Sequence, residues 1–111
     1  MYHDAHVYIH IIKRRVRWLR GALRNLDQGA SYIAQDNPKA AAKLVCHLRD
    51  SALLPGGQPN LGRPGRIPGT RELVLSNIPY ILPYRVRNDT VEILRVFHTA
   101  RQWPPKGNEH G

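Results

Sequence analysis

Residues 55–69 (PGGQPNLGRPGRIPG) constrain the fold of this chain more than any other stretch. They include four prolines and five glycines. Proline has no backbone donor, and glycine loses more freedom than other residues when a helix or strand orders it. The stretch therefore predicts a long loop without regular structure. It separates a first half with helical periodicity from a second half with strand-like alternation.

Two helices are predicted before this loop. Apolar residues recur every three or four positions from Gly21 to near Gln35, and again after Pro38. Asn37 can cap the second helix, and Pro38 suits its first position. The predicted apolar faces contain Ala22, Leu23, Leu26, Ala30 and Ile33 in the first helix, and Ala41, Leu44, Val45, Leu48 and Ala52 in the second. Because the connection is short, the helices should form an antiparallel hairpin.

Three strands are predicted after the loop, at Arg71–Leu75, Tyr80–Arg87 and Thr90–Phe97. Their short connections predict antiparallel hairpins. Residues 13–19 alternate in the same way and predict a further strand before the first helix. The expected fold is therefore α+β in the order β-α-α-β-β-β, with the helical hairpin on one face of a small, mostly antiparallel sheet. Pro83 cannot donate to a ladder, which predicts a bulge or an unpaired position there.

The last predicted strand is apolar on both sides. Alternation places Val91, Ile93 and Phe97 on one side and Leu94 and Val96 on the other. A strand that is apolar on both faces is normally covered on both. The helical hairpin can cover only one face, so the loop, the N-terminal arm or a bound partner must cover the other.

The chain is strongly basic, with 17 Lys and Arg against 8 Asp and Glu, a net charge of +9. This charge predicts an acidic partner, which could be nucleic acid, an anionic surface or an acidic protein. Six basic residues lie between positions 13 and 24 without an intervening acid. They fit either a solvated face or a contact surface.

The length of 111 residues fits one domain. We expect an N-terminal arm at 1–13, the domain at 14–104 and a flexible tail at 105–111. The single cysteine, Cys46, excludes an internal disulfide and suits a reducing cytoplasm. Its apolar neighbours predict a buried, inert thiol. No stretch approaches the roughly 18 apolar residues of a membrane span, so we expect a soluble cytoplasmic protein.

Few residues suggest hydrolytic or metal chemistry. His3, His6 and His10 could share a helical face and bind a metal, but a mobile arm or an extension of the first strand is the favoured reading. Only Glu72 and Glu92 among the acids lie on predicted strands, and no serine has a His–acid pattern beside it. We therefore expect no metal, no cofactor and no catalysis of these kinds.

Basic residues on the predicted sheet form the remaining candidate site. The set consists of Arg71, Arg85, Arg87, Arg95 and Arg101, with His98, Tyr80 and Tyr84 near them. Such residues could bind RNA phosphates and assist cleavage by stabilising charge and transferring a proton. Alternatively, they are strand residues that simply face solvent.

Several sequence blocks together resemble the ParE-type toxins of the ParE/RelE superfamily. They are YIAQDNP at 32–38, GTREL at 69–73, PYILPYRV at 79–86 and VEILRV at 91–96, followed by His98. The resemblance extends over residues 14–104. It implies a toxin held in a hetero-oligomer by a cognate acidic antitoxin, whose C-terminal segment is disordered when free and wraps along the helices and sheet. ParE relatives poison DNA gyrase, whereas RelE relatives cut messenger RNA on the ribosome.

Departures from the RelE pattern favour the gyrase branch. Leu73 stands where RelE toxins have a second basic residue, Ile81 replaces a mid-strand arginine, and no tyrosine follows Arg101. The resemblance thus implies a non-enzymatic toxin, with a RelE-like ribonuclease using Arg71, His98 and Arg101 as the alternative. Residues expected to face the antitoxin or the target are Arg71, Tyr80, Tyr84, Arg85, Arg95, His98 and Arg101. No recognition helix is present, so sequence-specific nucleic-acid binding is not expected.

Overall fold

The computed structural model describes residues 13–100 and confirms the expected α+β architecture. Its elements are β1 (Arg15–Trp18), α1 (Arg20–Ala34), α2 (Pro38–Ala52), α3 (Leu54–Gly57), β2 (Arg63–Pro64), β3 (Arg71–Val74), β4 (Tyr80–Arg87), β5 (Thr90–Ile93) and β6 (Phe97–His98). The predicted arm and tail lie almost wholly outside the described residues. Within the described part of the chain, no helix is long and apolar enough to cross a membrane.

The sheet joins the two ends of the domain. Its strand order is β1-β5-β4-β3-β2, and β6 also pairs with β4. β1 runs parallel to β5, with Arg15 opposite Thr90 and Trp18 opposite Ile93. All other pairings are antiparallel. The β4–β5 turn places Asn88 and Asp89 at positive φ, as a tight two-residue hairpin requires.

The helical hairpin forms as its sequence predicts. Asn37 caps α2 by accepting a hydrogen bond from the Ala40 N–H at 3.1 Å, and Pro38 occupies the first turn. α1 begins at Arg20, one position before the predicted start, and its N-cap residue Leu19 makes no side-chain capping bond. Both helices contribute buried apolar residues to the core against the sheet, namely Ala22, Leu48 and Ala52.

The loop at 55–69 is more ordered than predicted. It contains the end of the single-turn helix α3 and the two-residue strand β2. Pro55 lies in the first turn of α3, where a missing backbone donor costs nothing. Pro64 lies in β2 at the edge of the sheet, which also tolerates proline. The expectation of no regular element was therefore wrong, because both prolines occupy positions that need no donor.

The last predicted strand is broken into β5 and β6. Tyr84 lies opposite Ile93 and Ile81 lies opposite Phe97, so three steps along β4 match four steps along the other segment. One extra residue is thus inserted as a β-bulge, and side chains beyond it change face. Val96 joins the core and Phe97 faces the opposite side, which reverses the predicted assignment of both residues.

Pro83 accounts for the position of this bulge. Its carbonyl accepts a hydrogen bond from the Leu94 N–H at 2.8 Å, but it has no N–H to return to the Leu94 carbonyl. Arg95 Nη1 donates to that carbonyl instead, at 2.9 Å. The Val96 N–H leaves the ladder and donates to Asn25 Oδ1 of α1 at 3.1 Å. The irregularity predicted for Pro83 thus appears in the strand opposite it.

The core lies between the helical hairpin and one face of the sheet. Its fully buried strand residues are Leu82, Tyr84, Val91 and Ile93. Val16 and Trp18 of β1 pack against the same cluster. Cys46, in contrast, is exposed on α2, so the predicted buried thiol was wrong. The helical face turned to the sheet carries Ala41, Leu48 and Ala52, and Cys46 falls between these positions on the outer side.

Candidate functional site

The sheet face opposite the helices is the candidate functional surface, here called the open face. Residues paired across neighbouring strands point to the same side of a sheet, so the register identifies its members. They include Arg15, Arg17, Glu72, Ile81, Pro83, Arg85, Arg87, Thr90, Glu92 and Phe97. One end of this face is mostly charged and the other mostly apolar.

Four arginines form the charged end and are called the arginine cluster, namely Arg15, Arg17, Arg85 and Arg87. The register aligns them in two rows across β1, β5 and β4. Arg17 and Arg85 flank Glu92 in the first row, while Arg15 and Arg87 flank Thr90 in the second. Neighbouring strands lie about 4.8 Å apart, so the two arginines of each row have backbones roughly 10 Å apart.

Glu92 offsets one of the two positive charges in the first row of the cluster. It is 6% exposed, and its Oε1 accepts a hydrogen bond from Arg85 Nε at 2.6 Å. That hydrogen bond is the main reason that the pKa of Glu92 lies below its ordinary value. The positive charges of Arg85, Arg87 and Arg17 lower the pKa further, whereas loss of hydration opposes them. Glu92 is therefore a carboxylate held ionised by the arginines around it.

The free energy of unfolding should depend on pH through Glu92. Its pKa is lowered by folding, so its ionised form stabilises the fold above the pKa of an unfolded glutamate, about 4.3. That contribution is lost as pH falls through the lower folded pKa. We expect Glu92→Gln to flatten this acid limb in urea titrations between neutral and acid pH, and Arg85→Gln to flatten the same limb. An unchanged limb in Glu92→Gln would contradict the assignment.

The apolar end of the open face is a groove of about 380 Å³. We call it the apolar groove, and its apolar lining consists of Ile67, Ile81, Pro83, Leu94 and Phe97. Ile67 is 67% exposed and Phe97 is 44% exposed. The loop reaches this face through Ile67 but leaves it largely open. The sequence predicted that the loop, the N-terminal arm or a bound partner covers this second face of the sheet. The loop covers only part of it.

Two predicted partner-facing residues instead hold the loop in place. Tyr84 is fully buried, and its hydroxyl donates to the Pro59 carbonyl at 2.7 Å and accepts from the Gly62 N–H at 2.8 Å. Arg71 Nη1 donates to the Gly62 carbonyl at 2.7 Å. We call this arrangement the loop clasp. Tyr84 has no exposed surface, so it is not part of the candidate contact surface.

Tyr80 and His98 form a buried pair of rings on the core side of the sheet. The two rings meet edge to face with their centroids 4.9 Å apart. His98 Nδ1 accepts a hydrogen bond from the Ala100 N–H at 3.0 Å. Both residues are under 8% exposed, so they too lie away from the open face. Their prediction as partner-facing residues has no support from this geometry.

The remaining predicted residues lie in different places. Arg85 belongs to the arginine cluster. Arg95 is exposed beside the apolar groove, where its guanidinium rests against Gly21. Arg101 lies outside the described residues, as do His3, His6 and His10. Within residues 13–100, no three His, Cys, Asp or Glu side chains are grouped as a metal site would require.

The structure adds Arg15 and Arg17 to the candidate site. The sequence showed both only as part of a basic run, far along the chain from Arg85 and Arg87. They become neighbours of those residues through the parallel pairing of β1 with β5. Alternation in residues 13–19 placed Arg15 and Arg17 on one side of a strand, but nothing in that pattern named the partner strand.

Comparison with known proteins identifies the family. A model of the ParE toxin of the type II toxin–antitoxin system parDE matches residues 16–103. The protein Y4kP of Sinorhizobium fredii is 50% identical over 92 residues, which are 83% of this chain and 95% of that protein. Toxin RelE2 of Caulobacter vibrioides is 34% identical over 87 residues, or 78% and 97% of the two chains.

Two solved structures share the fold. A chain of the chromosomal ParDE system of Pseudomonas aeruginosa superposes with a TM-score of 0.70 and 28% identity, covering 80% of this chain and 97% of that one. A chain of the toxin–antitoxin complex RelBE2 of Mycobacterium tuberculosis gives 0.60 and 26%, covering 82% and 97%. With its helical hairpin, its open sheet face and these matches, the chain belongs to the ParE toxin family of type II toxin–antitoxin systems.

Proposed function

We propose that this toxin acts in the cytoplasm by binding and poisoning DNA gyrase, without cleaving RNA, and that an acidic antitoxin holds it inactive in a hetero-oligomer. The antitoxin partner is supported by structural relatives that belong to ParDE and RelBE systems. The family match and the departures from the RelE pattern at Leu73 and Ile81 support the choice of gyrase.

One observation supports a mechanism without catalysis. Two of the three residues that a nuclease would use, Arg71 and His98, are engaged in holding the fold. Arg71 is bound to the Gly62 carbonyl at 2.7 Å, and His98 is buried against Tyr80. Both strand acids are also paired, Glu72 with Arg63 at 2.9 Å and Glu92 with Arg85 at 2.6 Å. A general base needs access to a substrate proton, which this arrangement does not offer.

A supercoiling assay tests this proposal. Purified toxin in stoichiometric excess should prevent gyrase from supercoiling relaxed plasmid DNA, or should trap DNA that gyrase has cleaved. The same preparation mixed with the antitoxin should leave gyrase active. Full gyrase activity in the presence of excess free toxin would remove gyrase as the target.

A translating lysate tests the ribonuclease alternative. Primer extension on a defined messenger RNA should show no cuts at fixed codon positions when toxin is added. Codon-positioned cuts that disappear in His98→Ala, provided that this variant is folded by circular dichroism, would assign a RelE-like activity instead. Toxin RelE2 of C. vibrioides, at 34% identity, makes this the appropriate second assay.

A further inference from the structure

We infer that residues 7–12 (VYIHII) add a strand to the unpaired edge of β3 and close the cavity beside it. The inference concerns the N-terminal arm, which precedes residues 16–103, the part matched by the family model. It is independent of the proposed gyrase target, because it names a contact within the toxin chain itself. It gives the arm a place in the fold that membership of the family does not supply.

The outer edge of β3 is only partly covered. β2 pairs with Arg71 and Glu72, and the order of the described sheet ends with β2, so no described strand lies beside Val74. The Leu75 N–H donates to the Tyr80 carbonyl at 3.0 Å, on the β4 side. Because successive residues of a strand point their backbone groups to opposite sides, the N–H and carbonyl of Val74 point to the outer edge. Such an edge is a template for a further strand.

A cavity of about 430 Å³ lies beside this edge and is called the edge cavity. Its apolar lining consists of Leu54, Leu61, Leu73, Val74 and Leu75, and its lining from α2 includes His47 and Ser51. Leu54, Leu61 and Val74 are 55%, 44% and 48% exposed. A strand that pairs with Val74 would therefore remove apolar surface from water, both on its own side chains and on these three residues.

Residues 7–12 have the composition of a strand. Five of the six are β-branched or aromatic, and none is Asp, Glu, Lys or Arg. Alternation places Val7, Ile9 and Ile11 on one side of such a strand, the side that we assign to the edge cavity. The segment can therefore pair with β3 without burying an unpaired charge.

An extension of β1, as the sequence suggested, has no partner strand among the described residues. β5 begins at Thr90 opposite Arg15, and the β4–β5 turn comes directly before it. The Arg14 N–H instead donates to the Gly56 carbonyl of α3 at 2.8 Å. A hairpin back along the outer side of β1 would need a turn at residues 12–14, which include none of the usual turn residues. The β3 edge is the better partner for the segment.

The arm joins the domain close to the edge cavity. Gly56, which binds the backbone of Arg14, lies two residues after Leu54 in the single turn of α3, and Leu54 lines the cavity. Twelve extended residues span about 40 Å, so residues 7–12 can cross from α3 to the β3 edge. The tether also gives the segment an effective concentration of about millimolar. A second copy of the chain has no such tether, and its net charge of +9 would repel this one.

Amide hydrogen exchange, resolved by NMR, tests the pairing in the full chain and in a chain lacking residues 2–12. The Val74 amide should exchange about tenfold more slowly in the full chain, because it gains an acceptor there. The Leu75 amide is bonded to Tyr80 in both chains and should change by less than about twofold. Equal exchange of Val74 in the two chains would overturn the inference. Protection of Val74 that falls on dilution would place the arm on a second copy and overturn it as well.

Matched variants of the full chain identify the contacts. Ile9→Asp with Ile11→Asp should bring Val74 exchange to the rate of the truncated chain, whereas His3→Asp with His6→Asp makes the same charge change and should leave it within about twofold. Equal effects of the two pairs would show that charge, and not strand pairing, controls the exchange.

The cavity wall has its own matched pair. Leu54→Ser should speed Val74 exchange by about threefold or more, because it removes apolar surface that the arm would cover. Leu53→Ser removes a side chain that is 62% exposed and does not line the cavity, so it should have no such effect. Equal exchange rates in these two variants would overturn the assignment of the arm to the edge cavity.

Discussion

Tyr84→Phe is expected to lower the free energy of unfolding by about 2–4 kcal/mol, although it removes only one oxygen atom. That hydroxyl serves two backbone groups of the loop clasp, the Pro59 carbonyl and the Gly62 N–H. Without it the Gly62 N–H loses its partner in buried surroundings and the Pro59 carbonyl loses one in partly buried surroundings. Each buried group left unpaired costs about 1–3 kcal/mol. Urea denaturation followed by far-ultraviolet circular dichroism measures the change.

The matched control for this substitution is Tyr32→Phe. Tyr32 lies on α1 with 46% of its surface exposed, so its hydroxyl can bond to water in either state. We expect a change of under about 0.5 kcal/mol there, as for most surface substitutions. A similar small change in Tyr84→Phe would show that the loop does not depend on the clasp.

Gly62→Ala is the second large expected effect, at about 2–3 kcal/mol of lost stability. An added Cβ would lie 2.7 Å from Tyr84 Cε1 and 2.9 Å from both the carbonyl carbon and the carbonyl oxygen of Glu72. The backbone of β3 and a fully buried ring cannot move aside cheaply, and overpacking of this kind typically costs about 1–3 kcal/mol. Thermal unfolding should show a clearly lowered Tm.

Gly57→Ala provides the control within the same Pro/Gly-rich stretch. A Cβ added at Gly57 meets no atom within 4 Å, so its stability should match the wild type or rise slightly through a less flexible unfolded chain. Equal losses at Gly57 and Gly62 would mean that both glycines matter for backbone freedom. The crowding at Gly62 would then not be the cause.

The spacing of apolar residues and the positions of the turn residues predicted most of the fold. Both long helices, the cap at Asn37 and the full extent of β4 follow from local spacing and from the turn residues Asn88 and Asp89. The break in the last predicted strand could not be predicted from these features. Alternation alone assumes a regular ladder, but the bulge arises because Pro83 meets Leu94 across two strands. The pattern within residues 90–97 does not show that Pro83 lies opposite Leu94.

The candidate site was harder to predict than the fold. Sequence reasoning chose basic and aromatic residues of the strands, but whether a strand residue faces the core or the open face depends on register. Arg71 and Tyr84 lie opposite each other on the core side, where they hold the loop. Arg15 and Arg17 were not chosen, because their proximity to Arg85 and Arg87 depends on a pairing between distant segments.

The pairing of β1 with β5 also has a consequence for synthesis of the toxin. β1 precedes both long helices in the chain and must wait for Thr90–Ile93 before it gains its neighbour in the sheet. Until then the nascent chain has a helical hairpin and part of a sheet that lacks β5, the strand between β1 and β4. Products truncated before residue 90 cannot assemble the arginine cluster, so that surface exists only after β5 has been made.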